Sequence, residues 1–515
     1  MSSVGQRERS TQDRIVTLFR DPLGYRYLGD WTDRDDNRNV EEVLLTRWLE
    51  QQGYAAPIVS RAVYKLKQAA ALGGSTTLYQ ANRDVYELLR YGVKVKPGAG
   101  EHAVTVHLID WDTPAANDFA VAEEVTVTGE NTKRPDVVLY VNGIALGVLE
   151  LKRSKVSVEE GIRQNLDNQK KAFIEPFFTT MQLVLAGNDS QGLRYGTIET
   201  EEKYYLSWKD DPEVMPDPAS DAVTAYKIDR DLIRMCAKDR FLEIIHDFVV
   251  FDAGTKKICR PNQYFGVRAA QTNVRDRQGG IIWHTQGSGK SLTMVWLAKW
   301  IRENVADARV LIVTDRVELD DQIESVFQGV SEDIHRTESG ADLVTVLNET
   351  TPWLLCSLVH KFGRGESDKM DAYIDDVNES LPPDFAPKGE LFVFVDEAHR
   401  TQSGKLHEAM KAILPDATFI GFTGTPLLKA DKRRTIEVFG PYIHTYKFDE
   451  AVDDGVVLDL RYEARDIDQE LTSPEKVDQW FEAKTSGLTD VAKRRLKEKW
   501  GTMREVHSSK QRLDK

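Results

Sequence analysis

Cysteine is scarce in this chain of 515 residues: Cys236, Cys259 and Cys356 stand far apart and form no Cys-x-x-Cys pair. That excludes a disulfide framework and a cysteine-rich zinc site, and it fits a reducing compartment. Long apolar runs are missing too. None approaches the roughly 18 residues that a membrane-crossing helix needs, so a cytoplasmic protein with no membrane partner is expected. The opening stretch, Met1 to Ser10, has no apolar centre and gives no secretory signal. Internal repeats and low-complexity tracts are absent. A basic excess is lacking as well, with 68 Lys and Arg against 83 Asp and Glu, a formal charge of −15. Whole-chain charge is a weak guide when one basic groove does the binding, so nucleic acid stays open as a partner. The length predicts about three domains, each able to bury its own core.

The most informative stretch is Gly279 to Ser291, GGIIWHTQGSGKS. An apolar run, Ile281-Ile282-Trp283, ends in a small-residue loop that passes into Leu292-Thr293-Met294-Val295-Trp296-Leu297, which suits a buried helix. A strand feeding a glycine-rich loop at a helix N-terminus aims several backbone N–H groups at one spot, where the helix dipole adds about half a positive charge. A triphosphate fits there. Lys290 would neutralise its β and γ phosphates, the Ser291 hydroxyl would ligate Mg2+, and Gly287 and Gly289 would let the backbone approach phosphate oxygens. The first glycine of G-x-x-x-x-G-K-[ST] is His284 here. What remains, Thr285-Gln286-Gly287-Ser288-Gly289-Lys290-Ser291, resembles the first motif of superfamily 2 helicases and translocases. The resemblance implies ATP as cofactor, held by residues 285–291.

From the N-terminus, residues 1–35 read as polar and irregular. Helices are expected at about 40–51, with Val40, Val43, Leu44 and Trp48 on one face and Asn39 as N-cap, then at 56–72 and near 81–91. Residues 103–110 and 123–128 alternate like strands.

A second informative stretch runs from Lys133 to Arg153, where two β-rich segments flank Asn142-Gly143, a hairpin signal. Its register can be tested by arithmetic. A two-residue loop at 142–143 pairs positions summing to 285 and sets Asp136 opposite Leu149, on the other face from Glu150. A sum of 286 sets Asp136 across from Glu150, so an odd loop or a bulge is predicted. Glu150 and Lys152, two apart on one strand, share a face in either case. Two carboxylates and a lysine on one face make a site for Mg2+ with a group beside it to orient or deprotonate water. Pro135-Asp136 and Glu150-Leu151-Lys152 resemble the PD-(D/E)xK nuclease core. That resemblance implies metal ligation by Asp136 and Glu150, catalysis with Lys152, and a further acid on the first helix, for which Glu41 or Glu42 is the match. Relatives also carry Gln-x-x-x-Tyr on the helix after the lysine. This chain departs from it, since Gln164 is followed four later by Asn168 and Gln169 by Phe173.

Residues 182–188 read as one more strand, 209–221 as an Asp- and Pro-rich surface excursion, and 228–250 as helical, with a domain boundary near 245–262. Related motors place an adenine-reading glutamine about where Gln263 stands. Downstream, 309–316 and 353–357 are expected strands, with a helix spaced by Leu319, Ile323, Val326, Phe327 and Val330 between them. The run 391–395 delivers Asp396-Glu397-Ala398-His399 at its carboxyl end. Asp396 is expected to hold Mg2+ and Glu397 to polarise the water that attacks the γ phosphate. Thr418–Phe422 leads into Thr423-Gly424-Thr425-Pro426, which resembles the third helicase motif.

The order of these motifs resembles the motor and cleavage (R) subunit of type I restriction enzymes over about residues 30–450. The expected fold is α/β: a PD-(D/E)xK nuclease domain with a mixed sheet flanked by helices at 1–245, then a RecA-like domain with a doubly wound parallel sheet at 246–455. Residues 456–515 would begin a linker or a second lobe. The resemblance implies ATP and Mg2+, double-stranded DNA, and methyltransferase (M) and specificity (S) subunits as partners. The charged end, through Lys515, reads as that of an N-terminal fragment, with ATP contacts but little turnover. An ATP-dependent nuclease-helicase of repair or phage defence, and a non-enzymatic assembly module, remain as alternatives.

Overall fold

The computed structural model describes residues 8–98, 100–219, 225–314, 323–324, 326–329, 332–358, 375, 379–383, 385–396, 410–411, 413–425, 439–459, 479 and 481–496. By its contacts the chain divides into two units, Met1–Val457 and Leu458–Lys515. In the second, the described residues include helical turns near 481–484 and 490–496, with Lys493 paired to Glu482 at 3.1 Å.

The first unit opens with helix α1 (Glu8–Arg20) and strand β1 (Arg26–Asp30), where the sequence reads as irregular. Ile15, Val16 and Phe19 are buried at helical spacing, with Thr11 and Gln12 one turn earlier, so polar flanks had hidden an amphipathic helix. Helices α2 (Glu42–Gln51), α3 (Ala56–Ala69) and α4 (Leu78–Tyr91) follow, near their expected positions. Helix α2 starts without a side-chain cap, and its buried face is Leu45, Trp48 and Leu49, while Val43 is exposed. The Asn39 amide, expected as that cap, instead reaches the Pro176 carbonyl and the Thr179 hydroxyl.

Strands β2 (Val93–Val95) and β3 (Val104–Val106) form a small antiparallel pair, so the strand expected at 103–110 is short. Strand β4 (Phe119–Glu123) ends where the sequence predicted a strand to begin, because Glu124 turns the backbone at φ 50°. Then come β5 (Val137–Val141), β6 (Ile144–Leu151), α5 (Val158–Asn168), β7 (Leu183–Asn188) and β8 (Gly192–Gly196). They assemble in the order β1-β4-β5-β6-β7-β8, with β1 parallel to β4, β6 parallel to β7, and the other neighbours antiparallel. One face packs Val137, Leu139, Leu149 and Leu151 with Ile15 and Phe19 of α1. The other packs Val138, Tyr140, Val148 and Ala186 with Val158 and Ile162 of α5.

Helices α6 (Lys227–Cys236) and α7 (Lys238–Asp247) lead to the hairpin β9 (Val249–Asp252) and β10 (Thr255–Ile258), then to α8 (Pro261–Arg275). The second sheet is built from β11 (Gly280–His284), β12 (Ala308–Thr314), β13 (His335–Arg336), β14 (Leu354–Leu358), β15 (Glu390–Val395), β16 (Thr418–Thr423) and β17 (Tyr442–Tyr446). Helix α9 (Lys290–Asn304) follows β11. The described strands run in the order β13-β14-β12-β15-β16-β11-β17, and every neighbouring pair is parallel, as a doubly wound sheet requires. One apolar cluster reaches from Phe19 and Leu149 through Phe248 and Tyr264 to Trp296, Val310 and Phe394, so the two sheets share a continuous core.

The Asp- and Pro-rich stretch at 209–221 lies on the surface as read, with Lys209, Pro212, Glu213, Pro216 and Pro218 exposed among its described residues, and it is pinned from both sides. Trp208 lies against Tyr264 with ring centroids 5.2 Å apart, and Ala219 is buried. Among the described residues, no helix is long and apolar enough to cross a membrane.

Candidate functional site

Residues 142–143 form a two-residue turn with left-handed backbone, φ 53° at Asn142 and 82° at Gly143. Pairs next to the turn sum to 285, Val141 with Ile144 and Tyr140 with Ala145. From Leu139 with Gly147 outward they sum to 286, because Leu146 is inserted as a bulge. The predicted bulge is therefore present, and the 286 register, carried one residue beyond the last ladder pair of Val137 with Leu149, sets Asp136 at the level of Glu150.

The ladder between β5 and β6 ends at Val137, which leaves the Leu151 N–H without a strand partner, and the Asp136 carboxylate accepts it at 2.6 Å. Glu150 is fully buried, beside Ala186 of β7. Lys152 Nζ lies 3.9 Å from Glu150 Oε2 and donates to the Leu151 carbonyl at 3.1 Å. Helix α5 closes over them. A Cβ at Gly161 would lie 3.2 Å from Ala186 and 3.5 Å from both the Glu150 carbonyl and Lys152 Cγ.

The α5 residue that meets Glu150 is Asn168, with Nδ2 at 3.4 Å from Glu150 Oε1. Asn168 is fully buried, and among the described residues its Oδ1 has no hydrogen-bond partner. In the sequence Asn168 stands out only as a departure from Gln-x-x-x-Tyr, four residues after Gln164. Gln164 is half-buried, and Gln169 is spent on the Asn165 carbonyl and on the Glu199 N–H at 2.7 Å.

Glu41 and Glu42 are placed elsewhere. The N-terminus of α2 sits on the hairpin turn, where Glu41 N–H donates to the Gly143 carbonyl at 2.8 Å. Glu150 lies six residues along β6 from Ile144, about 20 Å away at strand rise. The Glu41 carboxylate is held by Arg34 at 2.5 and 2.9 Å, and Glu42 pairs with Lys67 at 2.5 Å. The element near the Asp136 end is instead α1. Gln12 Nε2 donates to Glu123 Oε2 at 3.0 Å and approaches the Asp136 carbonyl at 3.5 Å. The apolar residues Ile15, Val16, Leu18 and Phe19, at helical spacing, are the signal in the sequence that points to it.

In the second sheet, Thr285, Gln286, Gly287, Ser288 and Gly289 link β11 to α9, whose first residues are Lys290 and Ser291. Gly287 and Gly289 take φ 84° and 91°, and Gly289 is the N-cap of α9. The Ser288 hydroxyl donates to the Thr285 carbonyl at 2.6 Å and tightens the loop. Gln263 on α8 braces it, accepting the Arg260 N–H at 2.8 Å and donating to the Gly289 carbonyl at 2.9 Å. Lys290 Nζ lies 2.8 Å from where a Cβ on Gly424 would stand, so the loop after β16 touches the loop that joins β11 to α9.

Asp396 is buried at the carboxyl end of β15, its N–H bonded to the Val313 carbonyl at 3.0 Å. Strand β16 lies between β15 and β11, so Asp396, Thr423 and the loop 285–289 share one edge of the sheet. Glu397, His399, Asp315, Leu319 and Pro426 lie outside the described residues.

Residues 5–203 match the family described as type I restriction enzyme R protein N terminus, and residues 262–494 match SWI2/SNF2 ATPase. The chain is similar to proteins named as type I restriction enzyme endonuclease subunits. It is 31% identical over 418 residues to a protein of Methanocaldococcus jannaschii named "Putative type I restriction enzyme MjaIXP endonuclease subunit", covering 75% of this chain and 39% of that one. It is 29% identical over 448 residues to the type I restriction enzyme HindI endonuclease subunit of Haemophilus influenzae, covering 79% and 41% respectively. The chain thus spans about two fifths of the length of these curated relatives. A solved nuclease-deletion mutant of the type ISP restriction-modification enzyme LlaGI aligns at a TM-score of 0.28 and 14% identity over 47% of this chain and 24% of that one, too low to argue from.

Proposed function

We propose that this chain is the N-terminal part of the restriction subunit of a type I restriction-modification complex, which pulls double-stranded DNA with ATP and cuts it with Mg2+. In this reading residues 1–245 are a PD-(D/E)xK endonuclease domain, 246–455 the first RecA-like lobe, and 456–515 the start of a linker or second lobe. The whole subunit works in the cytoplasm with methyltransferase and specificity subunits. The observation that carries it is the bulged hairpin, which brings Asp136, Glu150 and Lys152 to one face of a chain that also holds a phosphate loop.

The donor set suits a hard divalent cation: two carboxylates on one face and a buried carboxamide oxygen, Asn168 Oδ1, without a partner. When bound, Mg2+ supplies charge stabilisation at the attacked phosphodiester and makes water more acidic. Asp136 and Glu150 hold it, and the Leu151 N–H fixes the Asp136 carboxylate in place. Lys152, beside Glu150 at 3.9 Å, orients the attacking water.

At the other centre, the loop 285–289 cradles the phosphates of ATP through backbone N–H groups other than those of Thr285 and Ser288, which bond to the Tyr446 and Thr285 carbonyls, and Lys290 neutralises the β and γ groups. Ser291 and Asp396 hold the Mg2+ of the nucleotide, Glu397 polarises the attacking water, and Gln263 reads the adenine while bracing Gly289. The test is cleavage of unmethylated plasmid by the reconstituted complex, with and without hydrolysable ATP. Lys152→Ala should abolish cleavage and leave nucleotide binding intact. Retained cleavage would remove the nuclease assignment.

A further inference from the structure

Strand β11 ends on a histidine that belongs to a chain of hydrogen bonds. His284 is fully buried, and its Nε2 lies 2.8 Å from His444 Nδ1 on β17. His444 Nε2 lies 3.0 Å from Asp211 Oδ2. The hydrogen bond from His444 holds the Asp211 carboxyl below the usual carboxylate range. With one proton on each ring, His444 donates to Asp211 through Nε2, so its Nδ1 accepts and His284 Nε2 donates. Burial, aided by the charge of Lys290, keeps His284 neutral by pushing its pKa well below 6.5.

Both ends of this chain are anchored where they matter. His284 immediately precedes the phosphate loop and packs on α8, where a Cβ at Gly266 would lie 2.7 Å from its Cε1. The same helix supplies Gln263, which holds the far end of the loop at Gly289. Asp211 belongs to a short segment that leaves the edge of the N-terminal sheet. Leu206 bridges Tyr195 of β8, Trp208 packs on Tyr264, Asp210 pairs with Arg240 at 2.6 Å, and Lys209 reaches Asp454 at 3.4 Å.

We propose that Asp211, His444 and His284 are positioning residues that make the seating of segment 206–211 and nucleotide occupancy of the phosphate loop one linked equilibrium. Binding at the loop is then felt at the edge of the N-terminal sheet, and by reciprocity the seating of the segment sets nucleotide affinity. The relay touches no nucleotide itself. It rests on the reading of 285–291 as an ATP site.

The test titrates the 515-residue chain with a fluorescent ATP analogue and Mg2+, using Asp211→Ala, His444→Ala, the double variant and His444→Gln, which keeps a donor toward Asp211. Each alanine variant should weaken binding about 5-fold or more, the double variant should bind no worse than the weaker single, and His444→Gln should recover part of the loss. In the parent chain the analogue should slow amide exchange at 206–211, and in His444→Ala it should not. Losses that multiply in the double variant, or exchange at 206–211 indifferent to the analogue, would overturn the relay. A parent chain that fails to bind the analogue, like a Lys290→Ala control, would instead remove the ATP site and the relay with it.

Discussion

Asp136 takes the Leu151 N–H at 2.6 Å, one position along the strand from Glu150. The bond exists because the β5 to β6 ladder stops one residue earlier, and its register exists because Leu146 is bulged out. A carboxylate fixed by a backbone donor needs no rearrangement to receive a cation, which is the preorganisation a phosphodiester-cleaving site requires.

Asn168 should matter to cleavage alone. Asn168→Ala removes a buried α5 side chain bonded to Glu150, together with its Oδ1. Plasmid cleavage should fall about 10- to 100-fold, as for residues that support metal ligands, with binding of an ATP analogue unchanged. Parental cleavage by the variant would show that Asn168 is only packing.

Glu41 and Glu42 should be dispensable for cutting. Their carboxylates are engaged by Arg34 and Lys67 at the turn end of the hairpin. Glu41→Gln should lower stability by up to about 1 kcal/mol, the scale of a partly exposed ion pair, read as a shift in thermal unfolding. Cleavage rates of Glu41→Gln and Glu42→Gln should stay at the parental level, and a large loss in either would return an acid of α2 to the site.

Gly289 should tolerate no side chain. At φ 91° a Cβ costs about 1–2 kcal/mol of backbone strain, and it would stand 2.3 Å from Gln263 Nε2. Gly289→Ala should weaken nucleotide binding by about 10-fold or more, measured by titration with the same analogue. Unaltered affinity would mean that the loop does not hold phosphate in this conformation.

The buried His284 gives stability a predictable dependence on pH. Its folded pKa is depressed, so above about pH 7 both folded and unfolded forms are neutral and nothing is lost. Below 6.5 the unfolded chain takes up the proton first, so stability falls with falling pH by at most about 1.4 kcal/mol per unit. Asp211, also depressed, adds its loss only below its ordinary value of 3.8. Thermal unfolding between pH 7 and 5 should therefore be flatter in His284→Gln than in the parent, and parallel curves would refute a buried neutral His284.

Local chemistry made much of this protein legible in its residues alone. A strand-to-helix loop is a short-range object: Gly287, Gly289, Lys290 and Ser291 fall within one turn between β11 and α9, so their spacing announces the loop. The hairpin was legible for the same reason, since period-two alternation and Asn142-Gly143 leave few registers, and the need to face Asp136 toward Glu150 demanded an irregularity. Only the tertiary structure decided where that irregularity sits and what surrounds it. Helix α1 was missed because its apolar residues stand among polar flanks, and its burial depends on a sheet whose last strand ends at Gly196. Glu41 and Asn168 were equally ambiguous in sequence, and the packing of α2 on the turn and of α5 on the far end of β6 separated them. The contact of Asp211 with His444, 233 residues away, leaves no local trace at all, because its cause is the meeting of two sheets in one core.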